Sequence, residues 1–268
     1  MIKLTSLFVF LLALCSDVLY AASDFSFKRY QVEDGLSHNT VWCTMQDKYG
    51  FIWVGTSDGL NRYDGRGNKI YRNDLNDDYS LGNNFVSSLL EVDDDIWIGT
   101  NNGLYIYHRS TDRFSFFKNT TEYGVFISSE VRKIIQAQNG LIWIATLGQG
   151  LFMYDPVKEE LSQNSVWTSF IWDLCQGRDR KIYVSSMQEG LLSFDEKGKY
   201  LQSFPVLSDK NLANQKINSL LSIGGEIWFG VGTNMLGCYS ERDKTLETYD
   251  TSAINFGAIL CLLKYEGN

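Results

Sequence analysis

Two prolines, two histidines and five cysteines in 268 residues leave little material for several kinds of protein chemistry. No stretch is proline-rich or low in complexity, which excludes a disordered chain, and seven tryptophans among 44% hydrophobic residues fit a packed one. Cys43, Cys175, Cys238 and Cys261 form no Cys-x-x-Cys pair, so zinc and dithiol motifs are absent and buried free thiols are expected. With only His38 and His108, no repeated metal-ligand spacing exists, and neither a metal nor a cofactor is expected. Basic residues never cluster and the net charge is −8, which argues against contact with nucleic acid. The apolar run from Leu4 to Leu14 is too short to span a bilayer comfortably. Preceded by Lys3 and followed by Ala21, Ala22 and Ser23, it has the layout of a secretory signal peptide over residues 1–22, so the chain is expected to be exported. Cys15 suggests a lipoprotein site, but Leu14 stands where a small residue would be expected. Asn119 in Asn-Thr-Thr is a glycosylation acceptor only in a eukaryotic secretory pathway.

What the chain has instead is one phrase written five times. FIWVGTSDGLNRYD begins at Phe51, DIWIGTNNGLYIYH at Asp95, LIWIATLGQGLFMYD at Leu141, KIYVSSMQEGLLSFD at Lys181 and EIWFGVGTNMLGCYS at Glu226. The marker aromatics Trp53, Trp97, Trp143, Tyr183 and Trp228 are spaced by 44, 46, 40 and 45 residues, a period typical of stacked units. Each copy alternates apolar and polar residues at period two around a turn glycine, which reads as a hairpin. An apolar run about twelve residues upstream, beginning at Val41, Val86, Val131, Ile171 and Ile217, supplies another strand. A fourth follows the hairpin, clearest in RFSFFK from Arg113 and KYLQSF from Lys199. Four antiparallel strands per roughly 44 residues make one blade of a β-propeller. The fold class is therefore all-β, with residues 23–268 forming an incomplete propeller of five full repeats plus the start of a sixth.

Asp24 to Tyr30 resembles the last strand of a blade placed ahead of the first copy, as expected if it completes the final blade and closes the ring. Ile259 aligns with Val41, Val86 and Ile171, and the next marker aromatic is due near position 271. The chain is accordingly read as part of a longer protein, and on its own as an open ring prone to pair through its sheet edges.

IWVGTSDGLNRYD and IWIGTNNGLYIYH resemble the two-component regulator propeller repeat. The opening FKRYQVEDGLSHNTVWCTMQDKYGFIWVGTSDGLNRYDG resembles the start of the extracytoplasmic sensor of hybrid two-component systems common in Bacteroidetes. The resemblance weakens in the fourth and fifth copies, where Ser185-Ser186 and Gly230-Val231 replace Gly-Thr. It implies a seven-bladed ring and a periplasmic sensor of glycans. It also implies a full-length polypeptide with a further propeller, a small β-sandwich, a transmembrane helix, histidine kinase, receiver and DNA-binding domains, acting as a homodimer. None of those later parts is assigned to residues 1–268, so this segment is not read as an enzyme.

In a propeller the loop leading into the innermost strand shares a rim with the hairpin turn. The incoming loops bring Ser37-His38-Asn39, Asn83-Asn84, Ser129-Glu130 and Thr168-Ser169 with Trp167, while the turns bring Asn101-Asn102 and Glu189. Their amides, hydroxyls and carboxylates suit an oligosaccharide or another small ligand, although most such residues are simply solvated turn formers. More telling are the tops of the inner strands: Trp42-Cys43, Ser87-Ser88, Arg132-Lys133, Trp172-Asp173, Asn218-Ser219 and Leu260-Cys261. Arg132 and Asp173 either fix an anionic or hydroxylated ligand or form a salt bridge between blades. Trp42 and Trp172 either offer a sugar ring an apolar platform or fill the wedge between blades. Trp53, Trp97, Trp143 and Trp228 recur at one position and are packing residues. An enzyme acting on polysaccharide and a protein-interaction platform are the competing readings, since fold alone decides neither.

Overall fold

The computed structural model describes residues 28–164, 170–187, 189–204, 216–232, 234–254 and 258–264. Among these residues twenty strands form five four-stranded antiparallel sheets, each a simple meander. The first blade comprises β1 (Val41–Gln46), β2 (Ile52–Thr56), β3 (Gly59–Tyr63) and β4 (Asn68–Tyr71), and the second β5 (Val86–Val92), β6 (Asp95–Thr100), β7 (Gly103–His108) and β8 (Arg113–Phe116). The third comprises β9 (Glu130–Gln136), β10 (Ile142–Leu147), β11 (Leu151–Asp155) and β12 (Glu160–Gln163). The fourth comprises β13 (Ile171–Gln176), β14 (Ile182–Ser186), β15 (Gly190–Phe194) and β16 (Tyr200–Phe204). The fifth comprises β17 (Ile217–Ile223), β18 (Glu226–Val231), β19 (Met235–Ser240) and β20 (Leu246–Asp250). Helix among the described residues amounts to two three-residue 3-10 turns, Val32–Asp34 and Ser252–Ile254. The period-two alternation thus gives strands in every copy, and the fold is the all-β propeller expected. The proposed signal peptide and most of the proposed closing strand, residues 24–27, lie outside the described residues. Lys28 to Tyr30 belong to no strand.

The Gly-Thr of the repeat has two separate physical jobs. Thr56, Thr100 and Thr146 are buried, and each donates its hydroxyl to a turn carbonyl, at Gly59 (2.9 Å), Gly103 (2.8 Å) and Gly150 (2.7 Å). Gly59 and Gly103 open the return strand with φ of 122° and 90°, a region that side chains disfavour. The glycine before the threonine instead makes room for the next blade. A methyl group at Gly55 would lie 2.6 Å from Val86 Cγ1, and one at Gly99 would lie 2.7 Å from Val131 Cγ1. At Gly230 the neighbour is Ile259, 2.7 Å from such a methyl. Ile259 therefore packs where Val86 and Val131 do, as its alignment implied, although residues 258–264 hold no strand.

Apolar packing lies between blades rather than within them. Trp53, Leu60 and Tyr71 pack with Val86, Ile96, Ile98 and Tyr107 between blades one and two, and three further clusters repeat this arrangement along the arc. Trp53, Trp97 and Trp143 are buried in these seams, while Trp228 is half-buried and stacked on Tyr249 with ring centroids 5.9 Å apart. Val41 shows what a seam does by lacking one: it is 43% exposed, whereas Val86 and Val131 are fully buried.

The cysteines divide along the same line. Among the described residues none is in a disulfide; Cys43 and Cys175 are half-buried and Cys238 is buried. Cys261, expected inside an inner strand, is exposed because no strand forms around it. Burial pushes the Cys43 thiol up to about 12 and the Cys238 thiol up to about 11, and raises Cys175 as well. Since the thiolate is the reactive species, Cys261 is expected to react first of these four with a maleimide at pH 7.5. Peptide mapping of the labelled native chain checks this, and rapid labelling of Cys43 would show that the seam between blades one and two opens readily.

Candidate functional site

The inner strands share an irregularity that the sequence did not announce. In β1, Val41 pairs with Thr56 and Cys43 with Gly55, so Trp42 is an extra residue with no partner. The same slip leaves Ser87, Arg132, Trp172 and Asn218 extra in β5, β9, β13 and β17. A bulge of this kind bends the strand and re-aims the extra side chain. Five blades thus each send one re-aimed residue from the top of the strand that lines the ring.

Three of the five meet. The Arg132 guanidinium lies 4.2 Å from the ring centre of Trp172 and 5.4 Å from that of Trp42. Trp42 belongs to blade one, Arg132 to blade three and Trp172 to blade four, so contact between them means that the bulged side chains converge on the propeller axis. Trp42 donates its Nε1 hydrogen to Ser57 Oγ at 2.8 Å, which fixes the ring at the hairpin-turn rim, and it also packs on Phe85 at 5.1 Å. Arg132 donates through Nη1 to Glu130 Oε1 at 2.8 Å, while Nε is buried without a partner. A buried unpaired donor costs about 1–3 kcal/mol. Cation–π contact recovers on the order of 1–2 kcal/mol of it.

The residue after each bulge does different work. Ser88 Oγ accepts the Ile134 N–H at 3.0 Å, and Asp173 Oδ2 accepts the Leu220 N–H at 2.8 Å. In both cases the side chain clasps the inner strand of the following blade. Asp173 Oδ1 accepts the Leu174 N–H at 2.8 Å and faces Lys133 Nζ at 3.8 Å. Burial raises the Asp173 carboxyl above its ordinary range, against the opposing pull of the Lys133 charge and these two N–H groups. The charge contact between blades three and four therefore runs through Lys133 rather than Arg132. No local signal separates Lys133 from Arg132, because a bulge decides which one turns toward the axis.

The remaining rim residues are mostly engaged in holding loops. His38 Nδ1 accepts the Thr40 N–H at 2.9 Å, and Asn39 Oδ1 accepts the Val32 N–H at 2.9 Å. Asn84 bridges the Asn73 N–H and Asp58. Asn101, Asn102 and Glu189 lie exposed on their turns. Trp167 lies outside the described residues. His108 is held between Asp95 and Ser115, 2.8 Å from each, as a polar ladder across β6, β7 and β8. A surface cleft of about 770 Å³ lies apart from the convergent residues, between the loop carrying Thr120 to Tyr123 and the outer edge of blade three at Glu159 to Asn164. Among the described residues no group of three or more histidine, cysteine or acidic side chains is placed to hold a metal ion. No helix among them is long and apolar enough to cross a membrane.

Similarity to known proteins follows the same geography. Residues 35–58 and 80–102 match the two-component regulator propeller family, covering the incoming loop, the bulged inner strand, the second strand and the turn after it in the first two blades. Over 59 residues, 22% of this chain, it is 51% identical to a histidine kinase of Formosa agariphila and spans only 4% of that relative's length. The extracellular domain of a hybrid two-component system of B. thetaiotaomicron superposes with a TM-score of 0.71 at 23% identity, covering 86% of this chain and 32% of that one. A second such domain from the same organism gives 0.64 at 23% identity, covering 79% and 28%. Virginiamycin B lyase of Staphylococcus aureus gives 0.61 at 14% identity, covering 78% and 69%, which marks how widely the fold is shared. Residues 35–58 and 80–102 thus carry the two-component regulator propeller repeat, and the chain as a whole has the fold of a β-propeller.

Proposed function

We propose that this chain is the ligand-binding propeller of an extracytoplasmic sensor in a hybrid two-component system, and that it takes an oligosaccharide at the mouth formed by its bulged inner strands. The observation carrying this reading is the meeting of Trp42, Arg132 and Trp172 from three different blades. Two indole faces around a fork of N–H donors match a sugar ring, which has apolar faces and a polar edge. The family of the repeats and the histidine kinase relative support the signalling role. On this reading the segment binds without chemistry in the periplasm, and histidine kinase, receiver and DNA-binding domains of the same polypeptide, acting as a homodimer, carry the signal onward.

The test is to incubate the full chain with a panel of oligosaccharides, following its melting temperature and analysing the sugars by chromatography. A ligand is expected to raise the melting temperature and to be recovered intact, whereas accumulating product would replace the sensor with an enzyme. For that ligand, Trp172→Ala is expected to weaken binding at least fivefold, on the order of 1 kcal/mol for one lost platform. Unchanged affinity by calorimetry would remove the mouth as the site.

A further inference from the structure

Hydrogen-bonding capacity at the mouth is lopsided. Both Asp173 oxygens accept backbone N–H groups, Ser88 Oγ accepts the Ile134 N–H, and Glu130 Oε1 accepts from Arg132. Ser87 turns its hydroxyl toward the carbonyls of Gly99 in its own blade and Val131 in the next. Acceptors remain open at Glu130 Oε2 and Ser219 Oγ, but the largest unfilled capacity belongs to a cation. Arg132 carries five N–H groups and is always charged, yet only Nη1 has a hydrogen-bond partner. Its remaining edge, Nε with Nη2, is the side-on fork that pairs with a planar oxyanion. Lys133 adds a second cation, 44% exposed and loosely opposed by the deeper Asp173 carboxylate, which is 14% exposed.

Resting on the sensor reading above, we infer that the saccharide taken at this mouth is acidic, its carboxylate or sulfate held by Arg132 and Lys133 and its ring set against Trp42 and Trp172. An oxyanion supplies the partner that Arg132 Nε lacks, beside Trp42, which is 44% exposed at the rim. A neutral sugar can use the acceptors left at Glu130 and Ser219 but brings no charge to the Arg132 fork, so its fit is the poorer one.

The experiment is calorimetry on the full chain with four kinds of probe: oligogalacturonate, oligoglucuronate and oligomannuronate; their methyl esters; a sulfated carrageenan oligosaccharide; and maltotriose as a neutral sugar. At least one acidic probe is expected to bind, at least tenfold more tightly than its ester or neutral counterpart, and to weaken as NaCl rises from 50 to about 300 mM. The uronate and carrageenan arms tell carboxylate from sulfate. Arg132→Gln is expected to abolish the preference for the acid, and Arg132→Lys to retain part of it, with melting temperature reporting that each variant is folded. The ester comparison needs no variant, so a misfolded substitution leaves the test intact. Equal binding of acid and ester, or a neutral sugar binding best, overturns the acidic assignment while leaving the sensor reading standing. Binding of no saccharide at all overturns both.

Discussion

Replacing Asp47 with alanine is expected to cost about 3–5 kcal/mol of stability, the usual consequence of stranding one partner of a buried ion pair. Asp47 sits in the turn between β1 and β2 with its side chain fully buried. It accepts from Trp53 Nε1 at 2.7 Å, Arg109 Nη1 at 2.8 Å, and the Tyr49 and Phe51 N–H groups at 2.9 and 3.0 Å. Truncation removes the acceptor for all four donors at once and leaves the Arg109 charge to Glu91 alone, 2.8 Å away. Asp47→Asn keeps an acceptor for Trp53 but not the charge, and is expected to fall between wild type and alanine. The dependence on pH has a defined sign. Burial raises the Asp47 carboxyl, but the Trp53, Arg109 and Phe51 hydrogen bonds outweigh it and hold it below the ordinary carboxylate range. Its stabilisation is therefore fully present above about pH 4, the unfolded value, and is lost as pH falls through the lower folded value. Urea unfolding at pH 7 and pH 3 checks both statements. A difference between wild type and Asp47→Ala that does not shrink in acid would show that the carboxylate's charge is not what matters.

Gly55→Ala is expected to destabilise the chain by about 1–3 kcal/mol, and Gly55→Val by more, because the added carbon overpacks a seam between blades. At Gly55 that carbon meets Cys43 Sγ at 2.5 Å, Val86 Cγ1 at 2.6 Å and the Val86 carbonyl oxygen at 2.9 Å, the last being backbone that does not rotate away. The sign is diagnostic. In a strand with room for a methyl group, replacing glycine by alanine stabilises by about 0.5–1 kcal/mol. Ala145 and Ser185 occupy the matching positions in blades three and four and are fully buried there, so those seams have been built around a side chain. Thermal unfolding of Gly55→Ala beside Ser185→Gly compares the two kinds of seam directly. A more stable Gly55→Ala would mean that the spacing of blades one and two is set elsewhere.

The sequence by itself determined the strands, their grouping by four and the residues that fill the seams. These depend on alternation over five or six neighbouring residues and on a phrase such as IWVGTSDGL that recurs with its turn chemistry intact. It also pointed to Trp42, Arg132 and Trp172 as the unusual residues at the tops of inner strands, since a lining strand that begins with a bulky or charged side chain has to send it somewhere. The tertiary structure decided where. Trp42 and Arg132 are ninety residues apart in the chain, and no local pattern states that both sit on bulges or that their side chains reach one axis. Nor does any local pattern distinguish Asp173, whose oxygens clasp the next blade, from Lys133, which stays partly open to solvent. A bulge forms where two paired strands fall out of step, and a clasp forms where the following blade presents a freed N–H. Both are properties of neighbours brought together by folding, so the elements were legible one at a time, whereas the site exists only where several of them meet.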